Sequence, residues 1–124
     1  MSIEKHELKV STTGGAGVAS GSGILALPLC ELLAIYLDYH ASAPATTDVT
    51  VKSVGDPATV TLLTRSNSAT DAWMYPKTQD HDNVAAAITG SYSDPVIHAG
   101  ALSIDLAQAD ALTDCLVATV YVRV

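Results

Sequence analysis

Apolar and polar residues alternate along most of this chain with the two-residue period of a half-buried β-strand, and turn residues punctuate the alternation. The clearest stretch runs from Leu33 to Tyr75. Glu31–His40 is its longest strand, with Leu33, Ile35, Leu37 and Tyr39 on one face and Leu32, Ala34, Tyr36 and Asp38 on the other. Ala41–Ala45 reads as a loop in which Pro44 pushes Ala43 toward an extended conformation. Asp48–Ser53 turns Val49 and Val51 inward, and Gly55-Asp56-Pro57 redirects the chain into Thr59–Arg65, where Val60 and Leu62 alternate with Thr59, Thr61 and Leu63. Ser66-Asn67-Ser68 then makes a turn before a short strand, Ala72–Tyr75, which Pro76 limits.

The flanks follow the same rule with weaker signals. Glu7–Thr13 is a strand ended by Gly14-Gly15, and Val18–Leu27 is one interrupted by Gly21-Ser22-Gly23, a hairpin turn or flexible loop. Val84–Thr89 reads as a strand despite its alanines, and Val96–His98 as a short edge strand. Leu102, Ile104 and Leu106 share a face, and Ala107–Leu112 reads as a helical turn or a loop. Cys115–Val124 closes the chain, with Leu116, Ala118, Val120, Val122 and Val124 on one side. About eight to nine strands of this kind, with no βα alternation, predict an all-β fold: an antiparallel β-sandwich or jelly-roll-like barrel. The whole chain, 1–124, forms one domain. Residues 1–23, rich in Gly and Ser, are expected as an extended N-terminal arm that orders on docking.

Composition narrows the core and the partners. Hydrophobic residues make up 48% of the chain, yet it has no Phe and one Trp, so the core must be aliphatic. Charged residues are only 15%, which leaves a Ser/Thr-rich surface suited to packing against neighbours. The net charge of −7 and the scattered Lys5, Lys9, Lys52, Arg65, Lys77 and Arg123 disfavour nucleic acid, whose phosphates demand clustered cations. MSIEKHELKV carries charges where a signal peptide needs an apolar stretch, and no window reaches the roughly 18 apolar residues of a spanning helix. The expectation is a chain made in a cytoplasm with no membrane partner. Cys30 and Cys115 belong to no CxxC pair and read as buried free thiols, although a disulfide between them stays open.

Candidate chemistry is sparse. Asp80-His81-Asp82 is the densest polar cluster, but neighbouring strand residues point to opposite faces, so a solvated loop is the better account than a metal site. His6, His40 and His98 form no HExxH or HxH pattern. There is no GxSxG elbow, and GGAGVASGSG lacks the GK[ST] ending of a phosphate loop. These gaps argue against an enzyme, and no catalytic, cofactor-binding or metal residue is assigned. Trp73-Met74-Tyr75-Pro76 could present a sugar-stacking platform, but a core anchor for a Phe-less domain is the favoured reading.

Three phrases in order carry a resemblance: LLAIYLDYHASAPATTDVTV (Leu32–Val51), VTLLTRSNSATDAWMYPKTQDHD (Val60–Asp82) and VATVYVRV (Val117–Val124). They resemble a group of small virion structural proteins of tailed bacteriophages, over roughly two-thirds of the chain. The resemblance implies a capsid decoration (cement) protein on the exterior of the phage head, partnered by the major capsid protein and by itself, with a trimer favoured over a dimer. It implies no catalytic residue and no cofactor. A tail or baseplate component and a carbohydrate-binding module are the alternative readings.

Overall fold

The computed structural model describes residues 2–55, 57–97 and 100–124. Among them are eleven strands and no helix: β1 (Ile3–Val10), β2 (Ala19–Ala26), β3 (Cys30–Tyr39), β4 (Asp48–Ser53), β5 (Val60–Arg65), β6 (Ala72–Met74), β7 (Thr78–His81), β8 (Ala87–Ser93), β9 (Val96–Ile97), β10 (Ala101–Ala109) and β11 (Leu116–Arg123). One antiparallel sheet runs β1-β11-β3-β6, with β9 also paired to the start of β3, and a second runs β2-β10-β4-β5. The chain changes sheet at nearly every connection, only the β4–β5 and β7–β8 hairpins staying within one. That interleaving of two four-strand orders is the jelly-roll arrangement. β7 and β8 form a separate two-stranded ribbon inserted between β6 and β10.

The core lies between the two sheets and is aliphatic. Leu32, Ile35, Leu37, Leu116, Ala118, Val120 and Val122 come from one sheet, and Val49, Val51, Leu102, Ile104 and Leu106 from the other. Full burial of a Leu, Ile or Val side chain stabilises by about 1.5–3 kcal/mol, and these twelve hold the sheets together. Tyr39 is the aromatic member of the core; burial raises its phenol above the usual range, and the Arg65 guanidinium, 3.2 Å from its oxygen, opposes that rise.

Several elements differ from the expectation. Within residues 2–23, Ile3–Val10 and the stretch from Ala19 onward are paired in the sheets rather than forming an arm. β1 pairs along its whole length with β11, from Ile3↔Arg123 to Val10↔Leu116, and Val10 is 1% exposed. Gly21-Ser22-Gly23 lies inside β2, paired with Ile104–Leu106, and at Gly21 the Ser11 carbonyl leaves no room for a side chain. Upstream of Ile35 the faces of β3 are exchanged: the register with β11 jumps from Ala34↔Tyr121 to Leu32↔Val122, so Leu33 is the extra residue of a β-bulge and Leu32 points inward. Ala107–Ala109 continues β10 past a second bulge, with Gln108 at φ 55°, and is neither helical turn nor loop. Val84–Ala86 belongs to the β7–β8 turn, so the strand expected at Val84–Thr89 starts at Ala87. Asp56 of the expected Gly55-Asp56-Pro57 turn, and His98, lie outside the described residues.

Candidate functional site

Two features of the surface stand apart from the scaffold. The first is aromatic. Tyr36 on β3 pairs across the sheet with Trp73 on β6 and with Thr119 on β11, and all three side chains take the outward positions of their strands. Tyr121, two residues along β11, shares that face, and Tyr75 follows Trp73 by two residues. The Trp73 ring lies 5.0 Å from that of Tyr36 at 54°, 5.8 Å from that of Tyr121 at 39°, and 6.4 Å from that of Tyr75 at 15°, nearly parallel. Tilted and offset contacts at these separations are the favourable geometries for aromatic rings, so each ring holds Trp73 in orientation.

Trp73 is 48% exposed and Tyr75 62% exposed. The core-anchor expectation for Trp73 is therefore overturned. β6 is an edge strand, and register places Met74, not Trp73, on the inner face opposite Ile35. The sequence singled out Trp73 and Tyr75 but missed Tyr36 and Tyr121. Their positions outside the apolar alternation of β3 and β11 were the available signal.

The second feature is the β7–β8 ribbon. Val84 at its tip is 76% exposed, and Ile88 and Tyr92 on β8 are 40% and 58% exposed. Between its strands, Ser91 Oγ and Ser93 Oγ each donate to the Asp80 carboxylate at 2.6 Å. Those two hydrogen bonds, Ser91's first, hold the Asp80 carboxyl below the usual carboxylate range. Asp82 caps the turn, accepting from the backbone N–H groups of Val84 at 2.9 Å and Ala86 at 3.0 Å. So the Asp80-His81-Asp82 cluster, expected as a solvated loop, is a strand end and a turn, its two carboxylates committed to hairpin geometry. The root of the ribbon is tied by charge. Lys77 pairs with Asp94, and Arg123 lies 4.0 Å from Asp94 and 3.4 Å from Glu31. Beside this root, Leu29, Cys30, Val96 and Val124 line an open groove of about 290 Å³ with Glu31 and Arg123.

The remaining candidates have structural roles. His6 Nε2 lies 3.0 Å from Glu4 Oε1, and His40 Nδ1 accepts from the Ser42 N–H at 3.0 Å. Cys30 and Cys115 are both buried, and burial raises both thiols above their usual range. They sit at opposite ends of β3: Cys30 opens that strand, while the Cys115 carbonyl accepts from His40, just past its other end. At a rise of about 3.3 Å per residue that is about 30 Å, far beyond the reach of a disulfide. The thiols cannot pair within one chain. Among the described residues, no three His, Cys, Asp or Glu side chains gather as metal ligands would. Comparison of the chain with protein-family models, with curated proteins and with solved structures finds no match in any of the three.

Proposed function

We propose that this chain is a structural virion protein, a capsid decoration (cement) protein that binds the outside of a phage head and stabilises it without catalysis. The observation that carries the reading is the β7–β8 ribbon. A lone two-stranded hairpin is marginally stable in water, and this one holds Val84, Ile88 and Tyr92 in solvent while hydrogen bonds and ion pairs fix its shape and root. Such an element gains by docking on a larger surface, where its exposed apolar side chains are buried at little entropic cost because it is already ordered. The jelly roll behind it supplies a rigid support, and the ordered phrases of the sequence point to the phage head as the surface. The partners are the major capsid protein and other copies of this chain, with a trimer favoured, since closed symmetry is the usual form of such assemblies.

The test is retention of the purified protein on phage heads that lack it, read by co-sedimentation. The wild-type chain is retained. The Ile88→Asp, Tyr92→Ala double variant keeps its fold, because neither side chain is part of the core, and loses retention by at least tenfold. Undiminished retention of that variant would exclude the ribbon as the docking element, and no retention of the wild-type chain would exclude the capsid reading.

A further inference from the structure

The chain has six aromatic side chains, one Trp and five Tyr. Only Tyr39 belongs to the core. Four of the others, Tyr36, Trp73, Tyr75 and Tyr121, are gathered on one outward sheet face. Large aromatics are the most effective core formers available to a chain, so an aliphatic core beneath an aromatic exterior withholds them from the use that folding alone would favour. We propose that this face is a binding site for a neutral glycan, with Trp73 and Tyr75 as the stacking surface and Tyr36 and Tyr121 as the residues that hold Trp73 in place.

Charge and register on the same face select the ligand class. The outward positions of β1, β11 and β3 carry Lys5, Lys9 and Arg123 against Glu7, Glu31 and Asp38, a balance of zero in a chain whose net charge is −7. A balanced face neither attracts a polyanion nor repels a neutral polymer, and single-stranded nucleic acid, which also stacks on aromatic rings, needs a cationic groove. Glu7 and Thr119 stand in the same cross-strand row as Tyr36 and Trp73, and Lys5 pairs with Tyr121. Hydrogen-bonding groups thus adjoin the rings. Sugars present both complements, apolar C–H faces for the rings and hydroxyls for the polar neighbours. Trp73 and Tyr75 stack on one another, and each keeps exposed ring surface, 48% and 62%, against which a sugar can pack. The fold is compatible, since jelly rolls serve in lectin domains as well as in capsids. The site does not depend on the capsid reading, because it lies on the sheet face and not on the β7–β8 ribbon.

Trp73 is the single Trp of the chain, so its fluorescence reports on this site alone. The purified protein is titrated with hydroxyethyl cellulose, laminarin, galactomannan and glycogen, with polygalacturonate as the anionic control, and the same polymers are cast into native gels. At least one neutral polymer shifts the Trp73 emission and retards the protein, and polygalacturonate does neither. Trp73→Ala abolishes the retardation and Tyr75→Ala weakens it at least tenfold, each with an unchanged melting temperature. If Trp73→Ala fails to fold, Tyr75→Ala, whose ring is 62% exposed, carries the test. The proposal is overturned if no neutral polymer moves emission or mobility, or if binding survives the Tyr75 variant. It is overturned as well if the variants change the oligomeric mass in sedimentation instead, which would make the face a contact between copies.

Discussion

The backbone carbonyl oxygen of Ser11 occupies the space in which a side chain on Gly21 would begin. Ser11 follows β1 in one sheet and Gly21 lies within β2 of the other, so this contact sets how closely the chain passes over itself where the two sheets first meet. At Gly23, two residues on, the nearest atoms are side-chain methyls of Leu8 and Val10 at 3.2 Å, not backbone. Gly21→Ala must displace backbone and is expected to destabilise the fold by about 3 kcal/mol, whereas Gly23→Ala, which side chains can accommodate, costs about 1 kcal/mol. Urea denaturation of the two variants measures the difference; equal costs would mean that Ser11 yields.

Removal of Met1–Thr12 has a structural consequence that an unstructured arm would not show. It takes away the whole of β1, the partner of β11, together with buried Val10 and the Thr12 hydroxyl that donates to the Asp110 carbonyl. The truncated chain is expected to lose its cooperative thermal transition, measured by circular dichroism. A transition within a few degrees of the full-length value would show that β1 contributes little.

Legibility in the sequence followed a simple rule. Where polar residues alternated with apolar ones, as in Asp48–Ser53 and Leu116–Val122, the inward set was read correctly from the pattern: Val49, Val51, Leu116, Ala118, Val120 and Val122 are all fully buried. Where the run was wholly apolar, as in Leu32–Ile35, alternation carried no information and the bulge at Leu33 stayed hidden. The same limit concealed the aromatic face. Trp73 on a three-residue edge strand has no pattern of its own, and its exposure follows from pairing with Tyr36, a long-range fact. Glycines within β2 read as a turn because their cause, the passage of Ser11 and Thr12 overhead, lies in tertiary structure.

The two thiols are expected to be inert in the native protein. Both are buried and both are raised by that burial, so the reactive thiolate is scarce at neutral pH. Ellman's reagent should label neither cysteine over minutes in buffer and both in 6 M guanidinium, at a rate limited by mixing. Rapid labelling of the native chain would contradict the packing around Cys30 and Cys115.

Acid should loosen the β7–β8 ribbon before it reaches the jelly roll. The Asp80 carboxyl is held low by Ser91 and Ser93, so its contribution to the hairpin is complete above the usual carboxylate range and is lost as pH falls through its lower folded value. Protection of the Ser91 and Ser93 amides, measured against their intrinsic exchange rates at each pH, is therefore expected to fall at acid pH while that of Ile104 and Val120 persists. Asp80→Asn should exchange fast at every pH, and an Asp80→Asn ribbon as protected as the wild type would remove the carboxylate from the account.

The most direct test of the proposed capsid role is a cryo-electron microscopy reconstruction of phage particles assembled with this protein. The account predicts density for the two packed sheets on the outer surface of the head, repeated about the capsid symmetry axes, with the β7–β8 ribbon directed at the shell. Density for the same sheets in the tail or baseplate, with none on the head, would contradict it.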